Sequence, residues 1–135
     1  MSERRLLDTN LIVRHLVQDH EKHARVAANL FAACDRGQVV LVVLPAVLAE
    51  CVLVLESFYE HRRGAIAGTL GALIACPGVE IADAEVHLDA LERYGRTKCH
   101  FVDCVLAATA AAEDTPVATF DEGFRKFADV RVRRD

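Results

Sequence analysis

The run VVLVVL at residues 39–44 is an unbroken series of β-branched and leucine side chains, closed by Pro45. A strand with one solvated face alternates apolar and polar residues; this run does not, so it calls for cover on both faces. Segments of helical period stand on either side of it. Glu21 to Asp35 is amphipathic, with Val26, Leu30, Phe31 and Cys34 at helical spacing, and Gly37 ends it. Ala46 to Tyr59 and Ala65 to Ala75 are apolar stretches of helical length, the second stopped by Cys76-Pro77-Gly78. The pattern then repeats. Val79 to Ile81 reads as a strand, Ala84 to Tyr94 as a helix burying Val86, Leu88 and Leu91, and Phe101 to Ala112 as an Ala-rich helix. Pro116 to Phe120 reads as a strand, Glu122 to Phe127 as a short helix and Val130 to Val132 as an edge strand. At the start, Arg4 to Leu7 is a strand and Leu11 to Val17 one or two helical turns. Strands alternating with helices predict an α/β fold with a mainly parallel sheet and helices on both faces.

A length of 135 residues suits one compact domain, expected over 1–135, and 53% hydrophobic content supplies a core. The longest apolar region, Val39 to Leu55, is interrupted by Pro45 and Glu50, and falls short of the ~20 residues a membrane span needs. MSERRLLDTN lacks the apolar stretch of an export signal, so the expected location is the cytoplasm. The five cysteines, Cys34, Cys51, Cys76, Cys99 and Cys104, form no Cys-x-x-Cys and read as small buried thiols. A net charge of −4 is wrong for a protein that coats nucleic acid, but not for an enzyme that gathers cations on clustered carboxylates.

In parallel α/β folds, ligands bind beyond the carboxyl ends of the strands. Asp8 directly follows the first expected strand, and Asp121 directly follows Pro116 to Phe120. In RRLLDTNLIVRHL, Asp8-Thr9-Asn10 is also a good helix-capping junction, so capping and ligand roles both stand open. Two other acids lie in apolar surroundings: Glu50 within AVLAECVLVL and Asp103 within FVDCVLAATAAA. Neither has a Lys or Arg one helical turn away, and an ionised carboxylate in an apolar setting is costly unless paired or metal-bound. Four converging carboxylates repel one another without a counter-charge. Hard divalent cations such as Mg²⁺ and Mn²⁺ prefer oxygen ligands and promote phosphodiester hydrolysis.

Asp8-Thr9-Asn10 after a strand, then Glu50, then Asp103 opening an Ala-rich helix, then Thr119-Phe120-Asp121 with Phe124 following, resembles the PIN-domain ribonucleases. The short form most resembles the VapC-type toxins of toxin–antitoxin pairs, and the resemblance covers essentially the whole chain. It implies a three-layer α/β/α sandwich around a parallel sheet of four or five strands. It implies an Mg²⁺- or Mn²⁺-dependent endoribonuclease with Asp8, Glu50, Asp103 and Asp121 as its acids. Asp8 and Asp103 would hold the principal metal, Asp121 and Glu50 would complete or orient its surroundings, and Asn10 and Thr119 would assist. The partners implied are an RNA substrate, a second copy in a homodimer and a small antitoxin. Arg14, Arg96 and Lys98, with Arg62, Arg63 and Arg125 behind them, are the basic residues that would meet RNA phosphates. His20 and His23, one turn apart, read as solvated residues at a helix entry. Three other readings remain. One is an RNA-processing nuclease without an antitoxin. Another is a dimeric binding module, for which the apolar helices 46–59 and 65–75 would be the surface. The last is a phosphatase of the haloacid-dehalogenase kind, disfavoured because Asn10 stands where its second Asp is required.

Overall fold

A computed structural model describes residues 3–134; Met1, Ser2 and Asp135, which the expected domain 1–135 and the opening MSERRLLDTN include, lie outside the described residues. The parallel α/β architecture is present. The strands are β1 (Glu3–Leu6), β2 (Val39–Val42), β3 (Val79–Glu80), β4 (Val117–Ala118) and β5 (Val132–Arg133). The helices are α1 (Thr9–Val17), α2 (Glu21–Asp35), α3 (Pro45–Ser57), α4 (Arg63–Ala75), α5 (Ala84–Arg96) and α6 (Phe101–Glu113), with a 3-10 helix at Glu122–Lys126. Every strand pairing is parallel, as connections through helices dictate. The strands form two hydrogen-bonded groups, β1-β2-β3 with β2 central and β4-β5 apart from it. The expected single sheet is therefore divided among the described residues. The expected strand Pro116 to Phe120 shortens to its two paired residues, because β4 finds hydrogen-bond partners only in β5.

The run 39–44 behaves as its composition requires. Leu41 and Val43 are almost wholly buried, and β2 is paired on both edges. Helices α3 and α4 turn Leu48, Cys51, Val52 and Leu55, and Ile66, Leu70, Leu73 and Ile74, into this core. Intramolecular packing therefore accounts for most of their apolar character. Helix α2 keeps its expected span, but its buried stripe is Ala27 and Cys34 with Leu30 and Phe31 half-buried, and Val26 is exposed. Val26 lies beside Leu6, Leu11 and Leu30 in an open groove along β1. His20 and His23 are exposed and stacked at 3.8 Å, and the His20 Nδ1 accepts the His23 N–H, capping α2. In α5, Val86 and Leu88 are half-buried while His87 joins Leu91 inside.

Two devices hold α6, and with it Asp103, in place. The Arg63 side chain lies over the Tyr94 ring at 3.8 Å and donates to the Tyr94 carbonyl at 3.0 Å, to Glu56 at 3.3 Å and to the Cys99 carbonyl. The Tyr94 hydroxyl donates to Glu56 at 2.7 Å. This network ties α3, α4 and the α5–α6 connection together. The second device is a close approach of α4 and α5 at Gly95, where an added Cβ would stand 2.9 Å from the Ala67 Cβ and 3.7 Å from the Gly64 Cα. None of those atoms can rotate away. Gly95→Ala is therefore expected to destabilise by about 1–2 kcal/mol despite the better helix propensity of Ala. Thermal unfolding checks it, and Ala67→Gly should restore part of the loss; a Gly95→Ala protein as stable as the parent would refute this account of the contact.

Candidate metal and nucleic-acid site

Asp8 stands at the N-cap of α1, where its carbonyl accepts the Ile12 N–H at 3.3 Å. Its side chain makes no capping hydrogen bond. The carboxylate is exposed and unpaired, so the helix does not need it. Asn10 is exposed in the first turn of the same helix. Glu50 and Asp103 likewise take part in no ion pair or hydrogen bond among the described residues. Asp121 differs. Its Oδ1 accepts the Gly123 N–H at 2.7 Å and caps the 3-10 helix. The Asp121 N–H in turn donates to the Thr119 hydroxyl at 3.0 Å. Thr119 thus fixes the backbone from which Asp121 projects, and the second carboxylate oxygen stays open.

Glu50 and Asp103 are not the buried charges that their apolar sequence neighbours suggest. Glu50 is exposed and Asp103 half-exposed. Each lies on an outward helix face, so neither pays the desolvation cost of a buried charge. The unusual feature is the reverse: apolar neighbours on those same faces, Leu53 on α3 and Val102 and Leu106 on α6, stand in solvent. The apolar context that marked the two acids in the sequence divides between two faces: Cys51, Val52 and Cys104 turn into the core, while Leu53, Val102 and Leu106 form a wet apolar surface.

The fold brings the four acids into two neighbouring groups. Behind Asp8 and Glu50 lies the Cys51 thiol, which burial pushes up to about 12, with the charges of Glu50 and Asp8 adding to the rise. Helix α1, which Asp8 precedes, packs against α3, which carries Glu50. Asp103 and Asp121 line one hollow of about 160 Å³ together with Lys98, His100 and Lys126. His100 also lines the adjoining hollow that contains Glu50 and Glu56. Asp103 and Thr119 share a third hollow with Phe124. Behind Asp103, burial raises the Cys104 thiol to about 11, with Cys99 and Asp103 contributing. Neither thiol ionises at neutral pH, so the chemistry available at the surface is that of the carboxylates.

The donor set suits a hard divalent cation: oxygen ligands and negative charge, with no arginine or lysine paired to these four carboxylates among the described residues. Among the described residues, no three His, Cys, Asp or Glu side chains stand close enough to enclose one ion together.

The basic residues sort unequally. Arg14 is held by Asp19 at 2.8 Å, and Asp19 also accepts the Tyr59 hydroxyl at 2.7 Å. Arg63 serves the α3–α4–α5 network already described, and Arg125 pairs with Glu122. Arg96 makes only a long contact with Glu92 at 3.9 Å, and Arg62 is exposed. Lys98 alone of the expected phosphate contacts lines the hollow of Asp103 and Asp121. Lys126, on the facing 3-10 helix, was missed by sequence reading: in EGFRK nothing separates it from its neighbour Arg125. His100 lines both acid hollows and so joins them.

No described helix is long and apolar enough to cross a membrane. A search of curated proteins finds no match. The PIN domain family model matches residues 5–130, which include all four acids. PIN domains are generally nucleases, hydrolases that use divalent metals. By that match and the parallel α/β fold that carries it, the chain belongs to the PIN domain family.

Proposed function

We propose that this chain is an endoribonuclease that hydrolyses RNA phosphodiesters with Mg²⁺ or Mn²⁺. We further propose that it is one nuclease domain acting in the cytoplasm as the toxin of a toxin–antitoxin pair. The observation that carries the reading is the set of exposed carboxylates left unpaired by every nearby cation, in a PIN-family chain. A protein that used Asp8 or Glu50 for stability alone would have given them a cap or a salt bridge. Asp8 and Asp103 would hold the principal ion, with Asp121 and Glu50 completing or orienting its surroundings through bound water. A divalent ion would supply Lewis acidity there, acidifying water and offsetting charge on the phosphate. Asp121 is kept in place by Thr119 and Gly123, and Asn10 offers a polar group beside Asp8. Lys98 meets the substrate backbone. Water attacks phosphorus in line as the bond to the leaving sugar oxygen breaks. The wet apolar surface of Leu53, Phe58, Val102 and Leu106 supplies contacts for a second copy and for the antitoxin.

The test is digestion of total RNA by the purified chain in Mg²⁺, in Mn²⁺ and in EDTA, beside Asp103→Asn. Cleavage is expected in both metals, and none in EDTA or with the variant. RNA left intact by the parent protein in both metals would overturn the nuclease reading.

A further inference from the structure

Glu50 and Asp103 stand on different helices, α3 and α6. Those two helices touch each other little, whereas α4 packs extensively on α5 and α5 on α6. Something besides direct packing has to set the distance between the two acids. The side chain that spans the gap is Arg63, at the start of α4. Each of its three guanidinium nitrogens has a different partner. Nε donates to the Tyr94 carbonyl, in the last turn of α5, at 3.0 Å. One terminal nitrogen donates to Glu56 on α3 at 3.3 Å, and the other to the Cys99 carbonyl, one residue before the N-cap of α6. The Tyr94 ring under the guanidinium closes the network, because its hydroxyl donates to the second oxygen of Glu56 at 2.7 Å.

Both outer partners border the acid hollows. Glu56 lines the same hollow as Glu50, further along α3. Cys99 lines the hollow of Asp103 and Asp121, with Lys98 and His100 on either side of it in the chain. Its N–H donates to the Thr97 hydroxyl at 3.2 Å, and that hydroxyl donates to the Arg93 carbonyl at 2.7 Å. Cys99 is thus held by both its N–H and its carbonyl. The geometry points to Arg63 as a positioning residue: through Glu56 and the Cys99 carbonyl it sets the separation of Glu50 from Asp103, and with it the affinity of the site for a divalent ion. The inference rests on the metal-nuclease reading, and it takes Arg63 out of the phosphate contacts expected of it. Mg²⁺ demands oxygens at about 2.0–2.1 Å in near-octahedral array, so a site held more loosely than about 0.5 Å loses affinity. Lysine offers one compact ammonium in place of a planar fork. Arg63→Lys therefore keeps the Glu56 pair or the carbonyl contacts, not all three.

The test is Mn²⁺ binding to the full chain without RNA, read by paramagnetic resonance of the free ion, beside melting temperatures in EDTA. Arg63→Lys should weaken Mn²⁺ binding about tenfold or more, and Tyr94→Phe should weaken it less. The Mg²⁺ concentration for half-maximal RNA cleavage should rise by the same factors. Ile74→Val, in the core at the far end of α4, is the control: it should lower the melting temperature and leave Mn²⁺ affinity unchanged. Should Arg63→Lys fail to fold, Tyr94→Phe, which removes a single hydroxyl, decides alone. An Arg63→Lys protein that binds Mn²⁺ like the parent overturns the proposal, and RNA cleavage by the parent then leaves the nuclease reading standing. An Ile74→Val protein that loses as much Mn²⁺ affinity at an equal loss of melting temperature also overturns it, since stability alone would then move the site. A parent chain that binds Mn²⁺ without cutting RNA overturns the nuclease reading and not the role of Arg63. A parent that binds no Mn²⁺ overturns both.

Discussion

Asp8→Asn is expected to reduce RNA cleavage at least about a hundredfold while leaving the metal-free protein as stable as the parent, or more so. The activity estimate follows from scale: residues that only support a metal ligand cost about 10–100-fold when lost, and a direct ligand costs at least that. The stability estimate follows from geometry. Asp8 occupies a capping position but its side chain caps nothing, and it has no cationic partner among the described residues. The substitution removes one of several exposed carboxylates and breaks no side-chain hydrogen bond among the described residues, so the change should stay within about 0.5 kcal/mol or be favourable. Divalent metal should raise the melting temperature of the parent more than that of the variant. Cleavage that survives Asp8→Asn would remove Asp8 from the site. A loss of about 1 kcal/mol in Asp8→Ala without loss of activity would make Asp8 a helix cap after all.

Arg93→Ala should have the largest effect on stability. The Arg93 side chain is 4% exposed, and it donates to both oxygens of Asp129, at 2.9 and 2.5 Å, and to Asp89 at 3.1 Å. It also lies over the Phe127 ring at 5.1 Å. It is the clasp that fastens the segment after the 3-10 helix onto α5. Breaking a fully buried ion pair costs about 3–5 kcal/mol, but Asp89 and Asp129 are each more than a third exposed, which reduces the charge contribution. Together with the lost packing of the arginine stem, about 2–3 kcal/mol is expected, read as a drop in melting temperature of roughly 6–12 °C. A pH dependence accompanies it. The hydrogen bond and charge of Arg93 hold the Asp129 carboxyl below its usual range. A depressed carboxyl contributes its stability above the unfolded value near pH 4 and loses it as pH falls through the lower folded value. Acid unfolding of the parent should therefore steepen below about pH 4, and Arg93→Ala should flatten that limb. An alanine variant that melts with the parent and keeps the same acid limb would show that the clasp is not energetically coupled to the fold.

The helices were legible because their period and punctuation are local. Glu21 to Asp35 keeps its expected span, and Cys76-Pro77-Gly78 stops α4 where the sequence places the stop. Strand lengths were less legible, since a strand ends where its partner ends. Val117–Ala118 pairs only with Val132–Arg133, and Pro116, Thr119 and Phe120 fall outside the ladder although their composition suits it. The four acids could be named from their ordered places in the chain. Their surroundings could not be. An apolar residue at helical spacing looks the same whether it faces a core, as Cys51 does, or water, as Leu53 does. The division of the cations was equally invisible, because Arg14 is occupied by Asp19 and Lys126 is open for reasons of tertiary contact alone.

The order of the acids along the chain has a consequence during synthesis. By the time residues 3–80 have left the ribosome, β1, β2 and β3 can pair and bury Leu41 and Val43, with Asp8 and Glu50 already on the surface. Asp103 follows on α6, and Asp121 comes only with the last strands, ahead of Asp129, whose pairing with Arg93 clasps the following segment to α5. A nascent chain can thus build its sheet well before it owns a complete set of carboxylates. On the proposed function, the protein passes through most of its folding beside messenger and ribosomal RNA as an unarmed scaffold, and the cutting edge is finished last.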